Sequence, residues 1–134
     1  MKTMTNTSTE NDITVALTDE TVGLWVDGYL RAWASNDPAD IAALFTQDAS
    51  YLESPYATEW IGRDAIVDGW RSRWGWQAGG WDFEWTLKSI TGQIVEITGI
   101  GRYRKLGEFD NEWTVTFDGS GRAIRFVMIN TERA

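Results

Sequence analysis

Two side chains in this sequence have the chemistry of an acid–base site. Glu53 carries a carboxylate in an alternating segment, and Tyr29 carries a phenol in the middle of an apolar stripe. A carboxylate among aromatic rings is desolvated, which disfavours its charged form and suits it to proton transfer near neutrality. A tyrosine hydroxyl aimed into the same hollow can steady a developing oxyanion or alkoxide. Trp113 can donate from its indole N–H in the same way. The competing roles are structural. Glu53 can pair with Arg63, Arg71 or Arg73, and a carboxylate locked in an arginine pair cannot carry a proton. Tyr29 can be a core tyrosine and Trp113 a packing residue.

The inventory removes much other chemistry. There is no histidine and no cysteine among the 134 residues. Disulfides, thiol chemistry, Ser-His-Asp and Cys-His arrangements and the usual zinc ligands are therefore excluded, and neither a metal nor a cofactor is expected. Gly99-Ile-Gly101 lacks the third glycine of a dinucleotide loop. The acidic residues Asp37, Asp40, Glu108, Asp110 and Glu112 lack calcium-loop spacing and read as caps and solvated loops. A net charge of −8 argues against nucleic acid and anionic membranes as partners. No apolar run reaches the roughly 20 residues of a membrane span. Met1 to Asp12 is polar, without the apolar stretch of a signal peptide, and reads as a disordered tail. A cytoplasmic protein is the expectation, with one domain over 13–134.

The elements that must position Glu53 and Tyr29 follow from periodicity. Val22, Trp25, Val26, Tyr29, Leu30 and Trp33 recur at three and four residues and predict a helix from about Asp19 to Ser35. Thr18 is its cap. Asp37 and Pro38 start a second, short helix with Ile41, Leu44 and Phe45 on its buried face. A strand runs from Ala49 to Ser54, with Tyr51 and Glu53 on one face. A loop or short return strand covers 56–62. A third helix spans about Asp64 to Trp74, with Ile66, Val67, Trp70 and Trp74 inward.

Four strands complete the chain as an antiparallel meander. Trp81, Phe83, Trp85 and Leu87 alternate with polar residues. The next strand covers 93–104, where Gly99 and Gly101 suggest a bend or bulge. Glu112 to Phe117 puts Trp113, Val115 and Phe117 on one face. Asp118 to Gly121 is a hairpin turn. In the last strand, 123–131, Phe126, Met128 and Asn130 point one way, and Val127 and Ile129 the other. A strand apolar on both faces wants cover on both, and a homodimer is the simplest cover.

Nine tryptophans exceed what a small core needs. Trp25, Trp33, Trp60, Trp70, Trp74 and Trp85 are candidates to wall a cavity for a flat, hydrophobic or aromatic ligand. Phe45, Tyr51, Trp113, Val115, Phe126, Met128 and Asn130 face the same way. Tyr56 and Trp60, just after Pro55, suit an entrance. The segment from Trp76 to Trp81, with Gly79 and Gly80, suits a lid.

The sequence resembles a known family at several places in order. They are Tyr29 to Trp33 (YLRAW), Asp37 to Phe45 (DPADIAALF), Asp48-Ala49, Glu53-Ser54-Pro55, Gly62 to Ile66 (GRDAI) and Phe117 to Arg122 (FDGSGR). Together they look like the nuclear-transport-factor-2-like superfamily, and most like its SnoaL-like branch. The resemblance implies an α+β, cystatin-like, cone-shaped roll: three N-terminal helices on a strongly curved, mostly antiparallel sheet that encloses a pocket. Compared with the ketosteroid isomerases of that superfamily, Tyr29 matches the oxyanion-binding tyrosine and Glu53 the catalytic aspartate. Phe45 replaces a supporting tyrosine, and Trp113 falls where a protonated aspartate would be. One acid is lengthened and the other is lost. The resemblance implies cofactor-free isomerisation, cyclisation or dehydration, with Glu53 as proton shuttle, or a dimeric ligand-binding domain with an inert pocket.

Overall fold

The computed structural model describes residues 15–133. The tail expected over Met1 to Asp12 lies outside them. Helix α1 (Asp19–Ser35) begins where the Thr18 hydroxyl accepts a hydrogen bond from the Thr21 N–H. The Thr21 side chain reaches back to the Thr18 N–H, which completes a reciprocal cap. Asn36 ends the helix in a left-handed conformation. Helix α2 (Pro38–Ala42) is a single turn capped by Asp37. Strand β1 (Phe45–Ser54) starts earlier than the alternation predicts, so Phe45 belongs to the sheet rather than to α2. Strand β2 (Thr58–Ile61) returns beside it, and helix α3 (Arg63–Ser72) follows. A 3-10 turn spans Trp74–Gln77.

Strands β3 (Trp81–Thr91), β4 (Ile94–Tyr103), β5 (Gly107–Phe117) and β6 (Ala123–Glu132) form the antiparallel meander. The sheet order is β2-β1-β6-β5-β4-β3, with β1 parallel to β6. This is the expected α+β architecture: three helices on a curved, mostly antiparallel sheet.

Two expectations are corrected here. Glu108 and Asp110 are not in a loop. They lie in β5, exposed and close to Arg133. Nor does the register break at Gly99 or Gly101; it shifts between Leu87 and Ser89 on β3. Gly99 instead admits a ring, because a Cβ there would overlap Phe83.

Register decides what becomes core and what becomes site. One row across the sheet runs Val95, Val115, Phe126, Tyr51 and Trp60. All but Trp60 are buried. Trp25 and Tyr29 of α1 close over this row, Trp25 edge-on to Phe45 and Phe117 and Tyr29 stacked on Phe126. The next row runs Ile97, Trp113, Met128, Glu53 and Thr58, and the one beyond it pairs Gly99, Asn111 and Asn130. Polar side chains enter the interior only in these last two rows, at the open end of the cone.

Candidate functional site

A cavity of about 60 Å³ lies over those rows, between α1, α3 and the sheet. Tyr29, Trp33, Tyr51 and Trp70 form its inner wall. Phe83, Tyr103, Trp113 and Met128 come from the sheet, Trp76 from the 3-10 turn and Trp81 from the start of β3. Tyr56 is the exposed member of the lining, at 45%, and marks the mouth.

Glu53 lies on this wall and is buried. One carboxylate oxygen accepts from Arg73 Nη1. The other accepts from Asn130 Nδ2 at 2.5 Å. Arg73 Nη2 donates to Thr58 Oγ1 at 2.5 Å. The guanidinium is held between two indoles, 4.5 Å from the ring centres of Trp60 and Trp76. Upstream, Trp113 Nε1 donates to Asn111 Oδ1 at 3.2 Å, and Asn111 Nδ2 donates to Asn130 Oδ1 at 2.8 Å. Every bond of this line from Trp113 runs toward the carboxylate, so each donor polarises the next.

Tyr29 also lines the cavity, its hydroxyl 2.9 Å from that of Tyr51. Burial pushes both phenols well above their ordinary range; Tyr51 adds to the rise at Tyr29, and the Glu53 charge adds to it at Tyr51. Burial pushes Tyr103 up to about 12, and nearby Trp33 offsets part of that rise. The Trp33 indole N–H nevertheless has no hydrogen bond of normal geometry, and neither does that of Trp70.

The structure thus brings Glu53, Tyr29, Trp33, Tyr51, Tyr56, Trp70, Trp113, Met128 and Asn130 to one cavity. The other expected lining residues lie elsewhere. Trp25, Phe45, Val115 and Phe126 are in the core row or packed on it. Trp60 lies behind Tyr51, stacked on it at 5.1 Å, and its ring covers Gly69 of α3 so closely that a Cβ there would overlap it. Trp74 is 52% exposed, because α3 ends at Ser72 and the chain turns outward. Trp85 points to the correct face, but the Phe83 ring leans over Gly99 to stack on Trp113 at 5.1 Å and takes its place.

Sequence reasoning missed several lining residues, Arg73 and Asn111 among them. Ile66, Trp70 and Arg73 fall at helical spacing, so the stripe that placed Trp70 inward also pointed to Arg73. Asn111 alternates with Trp113 and Val115. The expected lid is also different in kind. Gln77 Nε2 donates to the Trp33 carbonyl, and Trp81 Nε1 donates to Gln77 Oε1 at 2.9 Å. The turn is tied to the end of α1.

The SnoaL-like domain profile matches residues 26–131. The chain belongs to the SnoaL-like domain family. No curated protein matches it. Among solved structures, this SnoaL-like domain is similar to a cystatin-like protein of unknown function from Methylobium petroleophilum, with TM-score 0.70, 16% identity, and 90% of this chain and 82% of that one covered. It is also similar to a protein assigned as a SnoaL-like polyketide cyclase from Shewanella denitrificans, with TM-score 0.67, 18% identity, and 85% and 92% coverage. A third is a protein of ketosteroid isomerase-like fold from Catenulispora acidiphila, in complex with trimethylamine, with TM-score 0.61, 19% identity, and 84% and 85% coverage. At these identities the likeness is one of fold. Within the described residues, no helix of this SnoaL-like domain is long and apolar enough to cross a membrane.

Two measurements test this geometry. Arg73→Leu leaves the Glu53 carboxylate buried and unpaired, and urea unfolding should show a loss of about 3–5 kcal/mol. Adding Glu53→Gln to that variant should restore part of the loss; no recovery would mean the pair is not coupled. The raised phenols favour the folded state below pH 10, the ordinary value of the unfolded chain. The contribution of Tyr103 should disappear as the pH climbs from about 10 through about 12, and those of Tyr29 and Tyr51 persist to higher pH. Tyrosinate absorbance should therefore rise late and together with unfolding.

Proposed function

We propose that this SnoaL-like domain binds a small hydrophobic or aromatic molecule in the cavity and does not transform it. The observation that carries the reading is the state of Glu53. A proton shuttle needs an oxygen free to reach substrate. Both oxygens of Glu53 are held, one by Arg73 and one by Asn130. Tyr29, the matching oxyanion donor, spends its contact on Tyr51. The residues that the resemblance casts as a catalytic pair therefore form one fixed polar wall.

Cavity size limits the ligand. An enclosed cavity of roughly 150 Å³ holds a benzene ring, whereas this one measures about 60 Å³. The enclosed part takes a group of a few heavy atoms, and the rest of a flat ligand lies among the rings toward Tyr56.

One experiment tests this reading. In D2O at neutral pD, a proton-shuttling Glu53 would exchange the α-hydrogens of cyclopentanone or acetophenone for deuterium, which NMR follows directly. The expected result is the same exchange with wild-type protein, with Glu53→Gln and with buffer. Faster exchange by the wild type, lost in Glu53→Gln, would establish catalysis and end the binding-only reading.

The domain works as a homodimer through the outer face of the sheet. Ile61, Ile94 and Ile129 are exposed, at 61%, 43% and 45%, and alternate with the inward residues of β2, β4 and β6. Light scattering should give twice the 15.2 kDa chain mass. Ile129→Lys should then give the single mass. A monomeric wild type would remove the dimer.

A further inference from the structure

Tyr103 ends β4 on its inward face, in register with Trp81 and Gly107, and lines the cavity. Its ring lies nearly parallel to that of Trp81, with centres 6.2 Å apart. It also leans back over Gly101. A Cβ at Gly101 would come within 3.3 Å of Tyr103 Cε1 but only 4.0 Å of Cδ1. The hydroxyl end of the ring therefore leads along the strand, toward the row of Gly99 and Asn111, where the cavity lies. The charges agree with that direction. Glu53 and Tyr56 both oppose ionisation of Tyr103, and Tyr103 in turn pushes up Tyr29 and Tyr51; all four line the same cavity.

A phenol has one proton to give and lone pairs to receive. The Trp33 indole N–H lies against the Tyr103 oxygen. An indole N–H only donates, so it occupies the receiving side of the hydroxyl and leaves the proton unused. Among the described residues none accepts that proton. The indole nitrogens of Trp33 and Trp70 are sealed from any molecule in the cavity, whereas the oxygen of half-buried Tyr103 is not. The other lining phenols are served differently. Tyr29 and Tyr51 pair with each other, and Tyr56 stands 45% exposed, within reach of water. An O–H facing an apolar wall without an acceptor is unfavourable, and a ligand that supplies the acceptor removes that cost.

We infer that Tyr103 is the residue that orients the ligand, donating its hydroxyl proton to an acceptor oxygen, such as a ketone carbonyl, on an uncharged molecule. The inference rests on the cavity being a binding site, and it adds the selecting residue and the chemical class selected. An acceptor is selected because the proton has no partner in the protein. An uncharged molecule is selected because the carboxylate and the guanidinium of the lining already form a pair. A charged ligand would be buried without a counter-charge.

The test is Tyr103→Phe, which keeps the ring against Trp81 and removes only the hydroxyl. Acetophenone and α-methylstyrene share one shape and differ in a carbonyl oxygen against a methylene group; benzoate supplies the anion. Affinities for the full chain are read from ¹H–¹⁵N titrations. Tyr103→Phe should weaken acetophenone about tenfold and leave α-methylstyrene unchanged. Comparing the two proteins cancels the different hydration of the two ligands. A role in packing alone would weaken both ligands equally. Equal weakening of both, or no weakening of acetophenone, overturns the inference while the binding site stands. Benzoate binding the wild type more tightly than acetophenone overturns it too. If none of the three compounds binds the wild type, the binding-site reading falls, and this inference falls with it.

Discussion

A carboxylate and a guanidinium taken out of water together must meet, because neither charge is tolerable alone in an apolar interior. Glu53 and Arg73 meet in this way, and the rest of the cavity is organised around them. Arg73 reaches Glu53 because α3 ends one residue earlier, at Ser72, and because the indoles of Trp60 and Trp76 hold its guanidinium from both sides. Glu53 stays in place because Asn130 holds its second oxygen and Asn111 holds Asn130. Removing either charge leaves the other exposed to the full cost of burial. Such a pair contributes little net stability, but it determines what the wall can do.

The aromatic residues set the size of the space that is left. Tyr29, Tyr51, Trp113 and Phe126 pack on one another with ring centres between 4.5 and 5.4 Å apart. They fill the narrow end of the cone, so the hollow survives only where register replaces rings by Glu53, Asn111 and Asn130. The same superfamily fold can therefore hold a solid core at one end and a polar-walled cavity at the other. Function lies in that wall rather than in the fold.

Much of this was legible in the residues. The stripe from Val22 to Trp33 placed Tyr29 and Trp33 correctly, and strict alternation located β3 and the inward face of β5. Period alone, however, says which face a residue takes and not how far along the cone it lies. Val115 and Trp113 share a face, yet one is core and the other is cavity wall, because their partners differ across the sheet. Trp74 was misplaced because helical spacing was carried past the true end of α3. Arg73 was one of three candidate partners for Glu53. Its spacing from Ile66 and Trp70 put it on the inward stripe of α3, but charged side chains are rarely buried unless paired, and the pairing with Glu53 is fixed only by the fold. The cavity's narrowness was not legible at all, since it depends on how nearly parallel rings settle against one another.

The central claim is that Glu53 remains bound to its protein partners while the cavity is occupied. A crystal structure with a ligand in the cavity tests this most directly. The account predicts both carboxylate oxygens still within hydrogen-bond distance of Arg73 and Asn130, with the ligand seated beside them. Arg73 swung away, with a Glu53 oxygen against a ligand carbon-bound hydrogen, would contradict it.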